Sequence, residues 1–277
     1  MKDTRLALKK FYEQVGQKYP EEEKVYHTLR GILRKKFVLS HLQRFRGSLL
    51  DIGCNRGMYL QAYQGGHRFG VDLSLSVLKK IPKQWHIHLT VADAERLQCF
   101  KPGSFDNALC SEVLEHCLDP QAVFNSIAHV LRAGGYALVT TPNYKRQRPR
   151  WIGLGVLQHF GVDSDCEEGY FHTAYRPEEL ERFARAAGLK VISVGTLEKE
   201  VKYAAKVPAA ILLTGRLVNK VFRSTTFEKL NESFFDRLTL LIYYFCHYTA
   251  LEIIFLKFIR NGVRSYILMQ KETEENL

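Results

Sequence analysis

The sequence predicts a doubly wound α/β sheet of seven strands, with helices before the first strand and a helical insertion before the last. Three observations carry that expectation. Short apolar runs alternate with segments of helical periodicity along the chain, the pattern of a parallel sheet covered on both faces. The first strand-like run, Leu50-Asp51-Ile52-Gly53, breaks into a tight turn and then a helix. The 277 residues are 46% hydrophobic and 25% charged, a globular mixture that excludes a disordered, collagen-like or coiled-coil chain.

The elements follow in order. Residues 4–18 and 22–45 read as two helices separated at Pro20. Leu6, Leu8, Phe11, Tyr12 and Val15 recur at helical spacing, as do Val25, Leu29, Ile32, Leu33, Phe37 and Leu42. Residues 1–46 thus form an N-terminal helical lid. Ser48–Gly53 is a buried strand and 57–64 a helix. His67–Asp72 is a second strand ending in an acid, and Ser74 caps a helix over 75–81. Ile87–Ala92 and Phe105–Cys110 are the third and fourth strands. A helix over 120–132 and the turn Ala133-Gly134-Gly135 lead to the fifth, Tyr136–Thr141, which Pro142 stops. Pro177 opens a helix over 177–187 that Gly188 ends. Residues 189–197 form the sixth strand and Ser265–Met269 the seventh. The sheet domain is therefore 47–201 with 263–277, and 202–262 is a helical insertion.

The formal net charge of +11 is uneven. Residues 1–46 carry +7, 47–141 carry zero, and 202–262 carry +5. A basic balance permits nucleic acid, anionic membrane or acidic small molecules as partners and does not choose among them. Six cysteines, Cys54, Cys99, Cys110, Cys117, Cys166 and Cys246, show no CxxC pairing. They read as free, mostly buried thiols of a reducing compartment. The opening MKDTRLALKKFYEQ lacks the apolar core of a secretory signal. The expected location is cytoplasmic, with the membrane periphery left open by 202–262.

The chemistry concentrates at strand ends. In Leu50-Asp51-Ile52-Gly53-Cys54-Asn55-Arg56-Gly57 a strand runs into a turn and a helix, where glycine lets a ligand approach and exposed amides favour an anionic group. Asp72 ends the next strand 21 residues after Asp51, where a carboxylate can meet ribose hydroxyls. Ordinary strand–helix packing is the competing reading of the turn alone. Val91-Ala92-Asp93-Ala94-Glu95 closes the third strand and Ser111-Glu112-Val113-Leu114-Glu115-His116 follows the fourth. Ligands of open α/β sheets bind beyond the carboxyl ends of strands, so these segments converge on one crevice. A nicotinamide dehydrogenase needs GxGxxG, which the spacing of Gly53, Asn55 and Gly57 does not match.

Taken in order, these segments, with Phe105-Asp106, Leu131-Arg132-Ala133-Gly134-Gly135 and Thr141-Pro142-Asn143, resemble the class I methyltransferases that use S-adenosylmethionine. Within that class the resemblance is to the small-molecule branch that includes ubiquinone-type O-methyltransferases, and it covers about residues 45–200. It implies a Rossmann-like sheet and S-adenosylmethionine as cofactor. By the same resemblance the Gly53–Gly57 turn, with Cys54 and Asn55, holds the methionine part. Asp72 binds the ribose hydroxyls, Leu73 lies against the adenine, and Asp93 with Ala94 meets its amino group. Ser111 sits near the methionine end, Asp51 supports the turn or the cofactor's ammonium group, and Glu112 binds cofactor or polarises a histidine. Asn55 replaces the glycine usual in the family, a position that asparagine tolerates at positive φ.

The transferred methyl is activated by the cofactor, so alignment and exclusion of water supply most of the acceleration. A hydroxyl acceptor also profits from a general base. His116 is the first candidate and His172, in Tyr170-Phe171-His172-Thr173, the second; packing or capping is the bland reading of each. No metal-ligand cluster is visible in the sequence. Lys145, Arg146, Arg148 and Arg150 follow the fifth strand and read either as a solvated loop or as a site for an acidic acceptor or RNA. No RNP or KH pattern supports nucleic acid. In 202–262, Arg216, Asn219, Lys220 and Arg223 share one helical face and Ala210, Leu213, Leu217 and Val221 another, a basic amphipathic helix. The uncharged run Leu238–Leu251 is 14 residues, short of the roughly 20 that a spanning helix needs. The insertion is either a cap or homodimer surface, or a membrane or lipid-substrate surface. The expected activity is methyl transfer to a small, apolar or lipid-linked acceptor, with oxygen favoured. RNA methylation and an inactive cofactor-binding regulator are the alternatives.

Overall fold

The computed structural model describes residues 2–20, 25–164 and 169–273. The chain divides into two compact units, one of Met1–Tyr19, Val38–Gly195 and Arg264–Leu277, the other of Pro20–Phe37 and Thr196–Val263. The span expected as a lid, 1–46, is shared between them.

In the first unit α1 (Lys2–Lys18) is followed, after the first part of α2 (Leu29–Leu42), by an alternating series: β1 (Leu49–Ile52), α3 (Met58–Ala62), β2 (Arg68–Asp72), α4 (Leu75–Leu78), β3 (His88–Val91), β4 (Phe105–Ser111), α5 (Pro120–Val130) and β5 (Leu131–Pro142). A short ribbon of β6 (Trp151–Ile152) with β7 (Tyr170–Phe171) precedes α6 (Pro177–Ala186), β8 (Leu189–Leu197) and, at the end, β9 (Arg264–Lys271). The seven-stranded sheet has the order β3-β2-β1-β4-β5-β9-β8. β1 lies parallel between β2 and β4, with Asp51 opposite Gly70 and Leu109. The order reverses at β1, which places the crevice of such sheets at its carboxyl end.

Capping follows the sequence closely. Ser74 accepts from the Val77 amide at 3.3 Å, and Asp119 accepts from Ala122 ahead of Pro120. The Glu179 side chain returns to the Arg176 amide at 2.9 Å as α6 starts at Pro177.

Three expectations need correction. The sheet is mixed: β9 runs antiparallel to β5, from Tyr136 opposite Gln270 to Pro142 opposite Arg264. β3 is an edge strand and largely exposed. The second N-terminal helix starts at Leu29, because Thr28 caps it, donating to Val25 O and accepting from the Gly31 amide; residues 22–24 of the expected helix lie outside the described residues. The core is built on β1, whose Leu49, Leu50 and Ile52 are fully buried, and on the matching faces of β4, α5 and β5. Cys54, Cys110, Cys117 and Cys246 are free and buried, and Cys99 is free and exposed; Cys166 lies outside the described residues.

The second unit holds α7 (Val201–Ala204), α8 (Lys206–Phe222), α9 (Thr225–Tyr248) and α10 (Leu251–Phe258). Its small core packs Leu29, Val201, Ala204 and Tyr243 together with Leu33 and Leu240. Glu198 is buried with Arg34 and Arg30 acting on it; burial outweighs both guanidinium groups and pushes its carboxyl up to about 7. α8 and α9 pack at Gly215, where a Cβ would fall 2.5 Å from Asn231 Nδ2. Ala250, at φ 59°, breaks α9 from α10. Among the described residues no single helix is long and apolar enough to cross a membrane.

Candidate active site

β1 delivers a buried acid and a turn. The Gly53 and Cys54 amides both donate to Val71 O, at 2.8 and 2.9 Å, so the turn stays bound to β2 as it leaves the sheet. Gly53, Asn55 and Gly57 have φ of 71°, 47° and 75°; the asparagine takes the left-handed conformation that the turn demands. Its amide donates to Asp72 Oδ2 at 3.0 Å, and the Ser74 amide donates to Asp72 Oδ1 at 2.9 Å. A Cβ at Gly53 would lie 2.2 Å from Val113 Cγ2, so this turn and the segment after β4 close upon one another.

Asp51 is 2% exposed, and its Oδ2 has no hydrogen-bond partner among the described residues. Burial, and then the neighbouring Asp72 charge, raise its carboxyl well above the ordinary range. Asp72 is raised too, because burial outweighs the amides of Ser74, Asn55 and Leu73. Two enclosed carboxyl groups, one with a free oxygen, are the complement of a cation. Cys54 differs from its neighbours in the turn: its thiol is buried, pushed up by burial, and lies where a Cβ on Gly70 would meet it at 2.7 Å. Its side chain is therefore core, and only its backbone belongs to the turn.

The remaining expected positions sit at the neighbouring strand ends. Leu73 is half-buried behind Asp72. Asp93 Oδ1 accepts from the Glu95 amide at 3.0 Å, with Ala94 buried beside it. Ser111 Oγ bonds Thr140 Oγ1 at 2.9 Å. Glu112, at φ 61°, accepts from Thr140 Oγ1 at 3.1 Å through its side chain and pairs with the buried Arg264 of β9. Its carboxylate thereby links β4, β5 and β9.

His116 and His172 are brought side by side, ring centroids 4.9 Å apart, although 56 positions separate them in the sequence. Tyr12 OH lies 2.6 Å from His116 Nδ1, and Tyr170 stacks on Phe11 at 5.0 Å beside them. Burial, and then His172, lower His116 to about 3, against a backbone bond at Phe171. Burial lowers His172 as well, and its Nδ1 is buried without a partner among the described residues. Glu115 is 1% exposed and accepts from Thr141 Oγ1 at 3.1 Å. Glu115, His116 and His172 each offer one ligand atom, all within 4.8 Å of one another. The sequence did not show this trio, because the fold and not the spacing assembles it.

Sequence reasoning also missed the part that α1 takes. Glu13 accepts from Ser74 Oγ at 2.7 Å and from Ser76. Arg5 pairs with Glu95 at 2.5 Å, and Glu95 Oε1 accepts from the Leu118 and Asp119 amides at 2.7 and 3.0 Å. α1 thereby ties the ends of β2, β3 and β4. No spacing connects Arg5, Tyr12 and Glu13 with partners 61 to 104 positions away. The basic stretch after β5 is partly engaged: Arg148 pairs with Glu179 and lies over the rings of Tyr144 and Tyr175.

A family described as a methyltransferase domain matches residues 23–194. The ubiquinone biosynthesis O-methyltransferase of Xanthomonas euvesicatoria pv. vesicatoria is 28% identical over 181 residues, covering 62% of this chain and 74% of that protein. The same-named protein of Paraburkholderia phymatum is 31% identical over 175 residues, covering 61% and 75%. In fold, a chain of the complex between the Haloferax volcanii Trm112 methyltransferase activator and a methyltransferase matches at TM-score 0.51 and 18% identity, covering 91% of this chain and 92% of that one. Burkholderia thailandensis 1,6-didemethyltoxoflavin-N1-methyltransferase matches at 0.53 and 15%, covering 70% and 81%. S-adenosylmethionine carries an ammonium group and a ribose diol, and the unpaired Asp51 oxygen and the clamped Asp72 carboxylate fit both. The matched domain, the strand order and this pair of carboxylates agree, and the chain belongs to the class I S-adenosylmethionine-dependent methyltransferases.

Proposed function

We propose that this methyltransferase acts on the hydroxyl of a small, apolar acceptor, lipid-linked or free. S-adenosylmethionine supplies an activated methyl group, so the chain's own residues need to bind, align, exclude water and manage one proton. Asp51 meets the ammonium group, Asp72 the ribose hydroxyls, Leu73 and Ala94 the adenine faces, and Asp93 its amino group. The amides of the Gly53–Gly57 turn and Ser111 hold the methionine end.

The observation that carries O-methylation is the His116–His172 pair. Burial lowers both imidazoles and keeps them neutral, but it also makes His116, at about 3, a weak base; the juxtaposition of the two rings, 4.9 Å apart, and not their basicity supports the proton-accepting role. Tyr12 orients His116 through Nδ1, and Phe11, Tyr12 and Tyr170 give the pair an aromatic wall suited to a phenol or other flat apolar acceptor. The names of the ubiquinone-type relatives point to the same class. The test is turnover against apolar phenols and catechols, free and prenylated, with His116→Gln and His172→Gln beside wild type. Loss of about 100-fold or more in kcat with cofactor affinity kept is the expected result. Full turnover in both variants would overturn the proton-accepting reading.

The 4.8 Å cluster favours one second reading, in which Glu115, His116 and His172 hold a divalent cation that binds the acceptor hydroxyl. Chelator treatment separates the two: activity that survives it keeps the histidines as proton acceptors, and loss restored by a divalent cation makes them ligands. RNA methylation has less support, since Arg148 is already paired with Glu179.

A further inference from the structure

Among the described residues, 26 large apolar side chains are exposed, and 19 of them lie between Val207 and Phe258. They are not scattered. On α9, Phe227, Phe234, Leu241 and Tyr248 repeat every seven residues along one line, and all are exposed. On α8, Val221 and Phe222 are 79% and 74% exposed, and on α10 Phe258 is 82% exposed. An apolar surface of that extent on three successive helices marks a site that meets another apolar phase.

The charge beside it selects the phase. Residues 202–262 hold nine basic and four acidic side chains. Among these acids, Glu232 pairs with Arg216 at 3.2 Å and Glu252 with His247 at 3.1 Å. Exposed Lys206, Lys220, Lys229 and Lys257 share the same helices with the apolar face, and exposed Arg223 and Arg260 lie just past the ends of α8 and α10. A second copy would bring like charge against like charge. An anionic bilayer accepts both features, with about a fivefold gain in partition for each lysine or arginine near its surface.

We propose that the α8–α10 helices dock the protein on an anionic lipid bilayer, lying in the boundary between headgroups and acyl chains. Among the described residues no single helix is long and apolar enough to cross, and the one pair that is so together, α9 with α10, is bent by 105°. A bent pair flanked by basic residues lies in the interface with its aromatic side chains at headgroup depth. The docking does not depend on the acceptor chemistry above, but it accounts for how a lipid-linked acceptor would be met.

The test is flotation of the full-length protein with vesicles of phosphatidylcholine alone and of phosphatidylcholine with phosphatidylglycerol. Wild type is expected to partition at least tenfold more strongly onto the anionic vesicles, with the gain falling as salt rises. Val221→Glu/Phe222→Glu, both at exposed sites, is expected to lower that partition at least tenfold while S-adenosylmethionine affinity and the thermal midpoint stay unchanged. Lys220→Glu/Lys229→Glu is expected to remove the preference for anionic over neutral vesicles. Wild type that fails to float, or a Val221→Glu/Phe222→Glu protein that floats equally well, overturns the proposal. So does a stable homodimer that this double variant dissociates and that binds no vesicles, which would make the face a seam between copies.

Discussion

Leu50 and Leu217 are the same residue type in the two units, and they end in opposite places. Leu50, in the middle of β1, is fully buried between β2 and β4; Leu217, on α8, keeps 63% of its surface. In the first unit most apolar faces meet another face of the same unit, and several of the polar residues buried inside it, among them Asp51, Glu115 and Arg264, lie on or beside the strands that form the site. The second unit has a small core around Tyr243 and leaves the outer faces of its helices open. Amphipathic periodicity therefore says that a face needs an apolar partner, and leaves unsaid whether the partner is in the chain.

Substitution tests this contrast directly. Leu50→Ala is expected to cost about 2–5 kcal/mol through the cavity it leaves, read as a lowered midpoint in denaturant. Asp72→Ala leaves the core intact and removes the carboxylate clamped by the Asn55 and Ser74 amides. Calorimetry with S-adenosylmethionine and its demethylated product is expected to show a loss of about 100-fold or more, near 2.7 kcal/mol. Undiminished binding would move the ribose site elsewhere.

Asp51→Asn is expected to act in two directions. The native carboxyl is raised above its unfolded value of about 3.9, so the protonated native form is favoured and the benefit is lost as pH rises through the native value. At neutral pH the free protein thus carries a cost that asparagine removes, and a gain of about 1–2 kcal/mol is expected, or a few degrees in thermal midpoint. Cofactor affinity is expected to fall at the same time. A variant that is both less stable and equally tight for cofactor would contradict the unpaired anion.

His116 has the opposite sign. Its native value lies below the unfolded value of about 6.5, so its contribution is complete above that pH and is lost as pH falls toward about 3. Stability measured between pH 7 and pH 4 is expected to fall less steeply in His116→Gln than in wild type. Leu217→Ala closes the series at the other extreme, with an expected change within about 0.5 kcal/mol; a cost like that of Leu50→Ala would mean that the α8 face is already covered.

Much of the sheet was legible because each strand carries its own signal. Apolar runs end in glycine or acid, Ser74 and Asp119 cap as their types suggest, and Pro177 opens α6. The β1 turn and the place of Asp72 at the end of β2 were legible for the same reason, since both are fixed by local chain geometry. The pairing of Glu112 with Arg264 was not legible, because Arg264 lies 152 positions away on a strand whose antiparallel direction the apolar run Ser265–Met269 does not disclose. Tyr12, Glu13 and Arg5 were unread because a helix face shows only that it packs, and packing against Ser74, Glu95 and His116 is settled in three dimensions.

The local code of this chain was enough to specify strands, turns, caps and the acids placed at strand ends, since those depend on neighbours within a few positions. Long-range closure added the rest. It set Tyr12 and His172 against His116, drew Glu115 within ligand distance of both histidines, and turned Glu112 to Arg264. The physical reason is that burial and pairing change a side chain's chemistry: burial holds His116 neutral and raises the Asp51 carboxyl, and a leucine ends either as core or as exposed surface.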